Sequence, residues 1–144
     1  MQIKTWTPNL MVNNVAEAIM YYNNVLGFEL VQTVPETPPY NWAMVSIDGI
    51  ALMFQSVESM KEEFKPLEQQ ATTGGGLSFY LRVSGVEALY EKLQGKVTIV
   101  NELKESFYGM TEFSIQDLNG FILTFAENLH PPTTEENKET EGEQ

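Results

Sequence analysis

The run QDLNGFILTFAEN at residues 116–128 decides how this chain is read: a turn closing on Gly120, then an apolar strand. An earlier stretch, SIDGIALMFQS at 46–56, has the same form. Laying Gly49 on Gly120 sets an offset of 71 residues and puts Ile50 on Phe121, Leu52 on Leu123 and Phe54 on Phe125. The same offset carries Leu10, Val12 and Val15 of LMVNNV onto Leu81, Val83 and Val86 of LRVSGV. One offset that holds at both ends of a segment marks two copies of one unit.

Within the first copy, residues 3–12 read as a strand, with Leu10 and Val12 on one face and Thr5, Thr7, Asn9 and Met11 on the other. Asn13 or Asn14 can cap the helix VAEAIMYYNNVL, whose Val15, Ala18, Ile19, Tyr22 and Leu26 recur at helical spacing. Gly27 ends it by supplying a left-handed residue. Strands at 28–34, 41–47 and 50–55 follow, with PETPPY as a loop, so the unit is strand, helix and three strands. A connecting helix at 60–70, broken at Pro66, and the hinge ATTGGG lead to the second copy. There the strands are expected at 77–83, 97–104, 111–115 and 121–127 and a short helix, stopped by Gly95, at 86–93. The expected organisation is one domain over 1–128, built of repeats 3–56 and 74–127 with linker 57–73, and a flexible acidic tail over 129–144.

Composition removes several classes of function. The 144 residues contain no Cys, which excludes disulfides, thiolate nucleophiles and sulfur-anion metal sites together. Eight scattered Lys and Arg within a net charge of -12 argue against a nucleic-acid partner. No run approaches the length of a membrane span, and MQIKTWTP lacks the apolar centre of a signal peptide, so a cytoplasmic protein with no membrane partner is expected. The single histidine, His130, lies in the expected tail, which leaves no Ser-His or Cys-His pair. TTGGG lacks the Lys of a phosphate loop. Glu112 is the best candidate for a catalytic carboxylate, against the simpler reading of a surface glutamate on a strand.

LMVNNVAEAIMYYNNVLGFEL resembles the opening of the vicinal oxygen chelate superfamily of glyoxalases, bleomycin-resistance proteins and dioxygenases. YGMTEFSIQDLNGFILTF resembles the closing motif of its bleomycin-resistance-like branch, with Leu118 where Pro is common and Phe121 where Asn is frequent. The likeness spans residues 3–127. It implies an α+β fold of tandem βαβββ modules whose sheets curl into half-barrels, a homodimer, and a ligand cavity inside each curl. It also implies where a metal ion would be held: on the first and last strands of each module. Carried onto this chain, those positions are Thr7, Met53, Ser78 and Thr124. Neutral hydroxyls and a thioether do not make a divalent-ion site, so no metal, no cofactor and no catalytic residue are expected. Isomerisation, ring cleavage and thiol transfer of the family's kind all need that ion.

What remains is a wall of mixed character. Strand parity puts Thr7, Asn9, Met53 and Gln55 on the concave face of the first repeat and Ser78, Tyr80, Arg82 and Thr124 on that of the second. Tyr40 and Trp42, after the Pro-rich loop, could stack on a planar ligand, as aromatics do in drug-binding members of the family. The expected function is metal-free binding of a small molecule, a planar or cationic compound such as an antibiotic, held by sequestration. The alternative is a metal-dependent lyase, isomerase or dioxygenase of the glyoxalase type. Trp6, of opposite parity to Thr7, is expected to pack on a helix.

Overall fold

The computed structural model describes residues 1–131; the expected acidic tail from 132 onward lies outside them. The first module consists of β1 (Asn9–Val12), α1 (Val15–Leu26), β2 (Glu29–Val34), β3 (Trp42–Ile47) and β4 (Ile50–Ser56). The second consists of β5 (Ser78–Arg82), α3 (Val86–Leu93), β6 (Thr98–Glu105), β7 (Thr111–Gln116) and β8 (Ile122–Glu127). Between them stand α2 (Val57–Glu63) and a single 3-10 turn, Lys65–Leu67. The expected helix at 60–70 therefore starts and ends earlier. Ser56 caps it by accepting from the Ser59 N–H, and Phe64, extended just ahead of the turn that carries Pro66, closes it.

Each module is one four-stranded sheet, in the orders β1-β4-β3-β2 and β5-β8-β7-β6, with the first pair of each parallel. The repeat is visible in the register: Leu10 pairs with Phe54, and Leu81, 71 residues on, pairs with Phe125. The hairpins differ. Asp48 and Gly49 alone join β3 to β4, both at positive φ (50° and 78°), as a type I′ turn requires. Five residues, 117–121, join β7 to β8. Beyond its shared strands, the second module thus has room for a polar turn.

Alternation along the strands sends one set of side chains to the helices. Leu10, Ala43, Val45, Leu52 and Phe54 from the first sheet join Phe113, Ile115, Leu123 and Phe125 from the second in one buried core. Helix α1 enters it with Val15, Ala18 and Tyr22, three and four residues apart. Asn14 caps its start by accepting from the Glu17 N–H, and Gly27, at φ 79°, ends it. The Phe28 N–H then bonds the Tyr22 carbonyl at 3.1 Å, and the Phe28 ring packs edge-on to Tyr22 at 5.7 Å. Helix α3 is capped differently. Gly85 stands where the repeat would put Asn14, and Glu127, at the end of β8, accepts from the Gly85 and Val86 N–H groups at 3.0 to 3.1 Å.

The modules are tied by a buried polar turn. The Tyr22 hydroxyl donates to Asp117 Oδ2 at 2.6 Å across 95 residues of sequence, while Asp117 Oδ1 accepts from the N–H groups of Asn119 and Phe121. Asn119 in turn accepts from the Asn13 N–H through its side chain, and Thr73 donates to its carbonyl. The TTGGG segment is pinned at this point rather than hinged: a Cβ on Gly74 would come within 2.6 Å of the Gly120 backbone. Two further expectations are corrected. The first strand begins at Asn9 rather than at residue 3, because Pro8 has no N–H to donate and contributes only its carbonyl, to the Met53 N–H. Trp6, in the segment before it, is 85% exposed and packs on no helix. Among the described residues, no helix is long and apolar enough to cross a membrane.

Candidate functional site

The sheet faces turned away from the main core carry the candidate site. Partners directly across a sheet project to the same side, so the registers lay the inner faces out as rows. On the first sheet one row runs Asn9, Met53, Met44, Gln32 and the next runs Met11, Gln55, Trp42, Val34. On the second sheet the rows run Ser78, Ile122, Gln116, Thr98; then Tyr80, Thr124, Ser114, Asn101; then Arg82, Ala126, Glu112, Lys104. The first wall is thioether, indole and amide; the second is hydroxyl-rich and bears charge at one end.

Asn9, Met53, Gln55 and Trp42 therefore share one wall, and Ser78, Tyr80, Arg82 and Thr124 the other. Thr7 lies just before β1, half-buried. Tyr40 is separated from Trp42: it packs against the main core and lines a cavity of about 620 Å³ between the Pro-rich loop and the start of α1. A second cavity of about 330 Å³ lies beside Tyr21, Lys96, Gln116 and Asp117.

On the first wall Gln55 is nearly enclosed. Its amide accepts from Asn9 Nδ2 at 2.8 Å and donates to Ser59 and Glu63 of α2, at 3.0 and 2.8 Å, which folds α2 over this side of the sheet. Asn9 Oδ1 is buried and has no hydrogen-bond partner. On the second wall Thr124 and Ser114 share a hydrogen bond of 2.7 Å. Glu112 is clasped by two phenols, with Tyr108 donating to one oxygen at 2.5 Å and Tyr80 to the other at 3.1 Å. Partial desolvation and then this carboxylate push the Tyr80 phenol up to about 12; for Tyr108 the bond to Glu112 is the larger cause of a rise. Both phenols thus stay protonated donors at neutral pH, and Glu112 is tied into a network rather than standing alone on a strand.

Tyr108 and Met44 were outside the sequence-based set. Tyr108 sits in the loop before β7 and reaches Glu112 only through the curl of the chain. Met44 had a readable signal, because a two-residue Asp-Gly hairpin fixes Met44 opposite Met53 and Trp42 opposite Gln55.

The resemblance would place a metal ion at Thr7, Met53, Ser78 and Thr124, and among the described residues no three His, Cys, Asp or Glu side chains come together. These residues do not fit a divalent ion, and no chemical step is derived through one.

Comparison with known proteins agrees with this architecture. The family model described as Glyoxalase/Bleomycin resistance protein/Dioxygenase superfamily matches residues 6–125, and the chain belongs to that superfamily. No curated protein matches it. Among solved structures it is similar to TioX from Micromonospora sp. ML1, with a TM-score of 0.69 and 19% identity over 88% of this chain and 99% of that one. It is also similar to a glyoxalase/bleomycin resistance protein/dioxygenase from Nocardioides, with a TM-score of 0.74 and 14% identity over 93% and 89%. A protein of unknown function from Agrobacterium tumefaciens str. C58 gives 0.73 and 15% over 90% and 97%. At such identities the likeness shows the fold.

Proposed function

We propose that this chain is a binding protein of the bleomycin-resistance-like branch, which as a homodimer sequesters a planar, antibiotic-like small molecule without transforming it. The observation that carries the reading is the make-up of the first wall. Trp42, Met44 and Met53 offer a flat, polarisable surface beside amides that can fix orientation, the ordinary composition of a small-molecule site. The second wall supplies hydroxyl donors and acceptors from Tyr80, Ser114 and Thr124. Dimerisation is supported by apolar side chains left open on the edge strand β2, where Leu30, Val31 and Val34 are about half exposed.

The test is a fluorescence titration. In a Trp6→Phe background Trp42 is the chain's one indole, and a panel of planar neutral and cationic compounds is added to the protein. Saturable quenching of Trp42 at one compound per chain, weakened by Met53→Ala beside it, supports sequestration; recovery of chemically altered compound, or a stoichiometric divalent ion in the purified protein, overturns it. Analytical ultracentrifugation reads the dimer, which Val31→Lys with Val34→Lys is expected to split.

A further inference from the structure

The methionines of the first wall are not inherited from the repeat. Met53 corresponds to Thr124 and Met11 to Arg82 under the 71-residue offset, and the partner of Met53 across the hairpin is Met44 where the partner of Thr124 is Ser114. Directly opposed residues on a sheet have Cβ atoms about 4.5–5.5 Å apart, so the long Met44 and Met53 side chains can bring both sulfurs to one point above the sheet. Asn9 is the next residue in that row, on the other side of Met53. Its Oδ1 is buried without any donor, a lone pair with nothing to receive it. Trp42 precedes Met44 by two positions on β3 and lies in the adjoining row of the same face.

Two thioethers, an orphaned amide oxygen and an indole face together make an acceptor set with no donor among its first three members. Thioethers select soft ions, Cu(I) and its congener Ag(I), over the first-row divalent ions the superfamily's enzymes use. An aromatic face adds attraction for a desolvated monovalent cation. We infer that Met44, Met53 and the Asn9 carbonyl form a site for a soft monovalent metal ion, with the Trp42 ring against it. This goes beyond small-molecule sequestration and stands without it, since the ion needs only one wall.

Silver(I) nitrate serves as a redox-stable probe, titrated in chloride-free buffer into the full chain carrying Trp6→Phe. Native mass spectrometry reads stoichiometry and Trp42 fluorescence reads the site. One Ag(I) per chain is expected, with quenching that saturates at the same ratio. Met44→Leu with Met53→Leu keeps volume and apolar character and is expected to weaken binding by at least the about 10- to 100-fold that loss of even an outer-shell partner costs a metal site. Met20→Leu with Met110→Leu, off this face, is expected to leave it unchanged. Met53→Leu alone, a milder change, keeps the test informative if the double variant folds poorly. Absence of saturable binding at one ion per chain, equal affinity in the Met44/Met53 variants, or equal loss in the Met20/Met110 variant overturns the site. Planar-compound binding is titrated separately, in the unsubstituted wall and without silver, so failure of the ion site and failure of the sequestration reading are separate results.

Discussion

Tyr21 and Tyr22 are adjacent on α1, and the structure assigns their hydroxyls opposite fates. The Tyr22 hydroxyl donates to Asp117 at 2.6 Å in a site where both residues are buried, whereas the Tyr21 hydroxyl is buried with no partner. Phenylalanine keeps each ring and its contacts, including the edge-on packing of Tyr21 on Tyr22 at 5.7 Å, so the two substitutions isolate the oxygen. A hydrogen bond to a charged group is worth about 1.5–3 kcal/mol, and losing the donor also strands an oxygen of Asp117 inside the protein. Tyr22→Phe is therefore expected to cost about 2–3 kcal/mol. For a chain of this length that is a fall in melting temperature of about 6–12 °C. Tyr21→Phe removes a hydroxyl that bonds nothing and is expected to leave stability within about 0.5 kcal/mol of the parent, or raise it. Thermal melts followed by circular dichroism compare the two directly. If both variants melt within about 2 °C of each other, the reasoning that the module junction rests on this one phenol is wrong.

The same pair gives a pH dependence. Burial first, and Asp117 second, raise both tyrosines above the ordinary value of 10.0, so the folded state keeps protons that the unfolded chain releases. Stability is full below pH 10 and falls above it, with Tyr22 contributing a slope of about 1.4 kcal/mol per pH unit that Tyr22→Phe should abolish in alkaline urea titrations. Glu127→Gln weakens the borrowed cap of α3 and should lower the urea midpoint by the equivalent of about 1 kcal/mol with an unchanged m-value. Gly74→Ala and Gly75→Ala both place a side chain at positive φ, at a cost of about 1–2 kcal/mol. Only the first also drives a Cβ into backbone, so its loss in melting temperature should be clearly the larger.

Much of the architecture was legible because a sheet with one buried face writes its period into the chain. The 71-residue offset predicts which residues pair, and Leu10 with Phe54 and Leu81 with Phe125 do so. Asn14 and Gly27 bound α1 as their chemistry suggests, since capping is a local matter. Pro8 is equally visible, and because it has no N–H to pair, the first strand begins at Asn9, later than side-chain alternation alone suggests. The wall residues followed from alternation, yet Gln55 could not be seen to be enclosed, because Ser59 and Glu63 reach it from a helix that starts after the strand. Nothing near Tyr22 announces a partner 95 residues away, and nothing near Gly85 announces that a strand end will cap its helix. Such links depend on how the modules meet, and sequence periodicity carries no record of that.

The docking of Thr73 and Gly74 against the Asn119–Gly120 turn also tells a protein engineer where this chain tolerates surgery. Residues 68–72 are exposed and bear no buried load, so new termini opened there, or a foreign domain spliced in, would leave both sheets intact. Three residues further on, the same cut would pull a strand of backbone out of the seam between the halves.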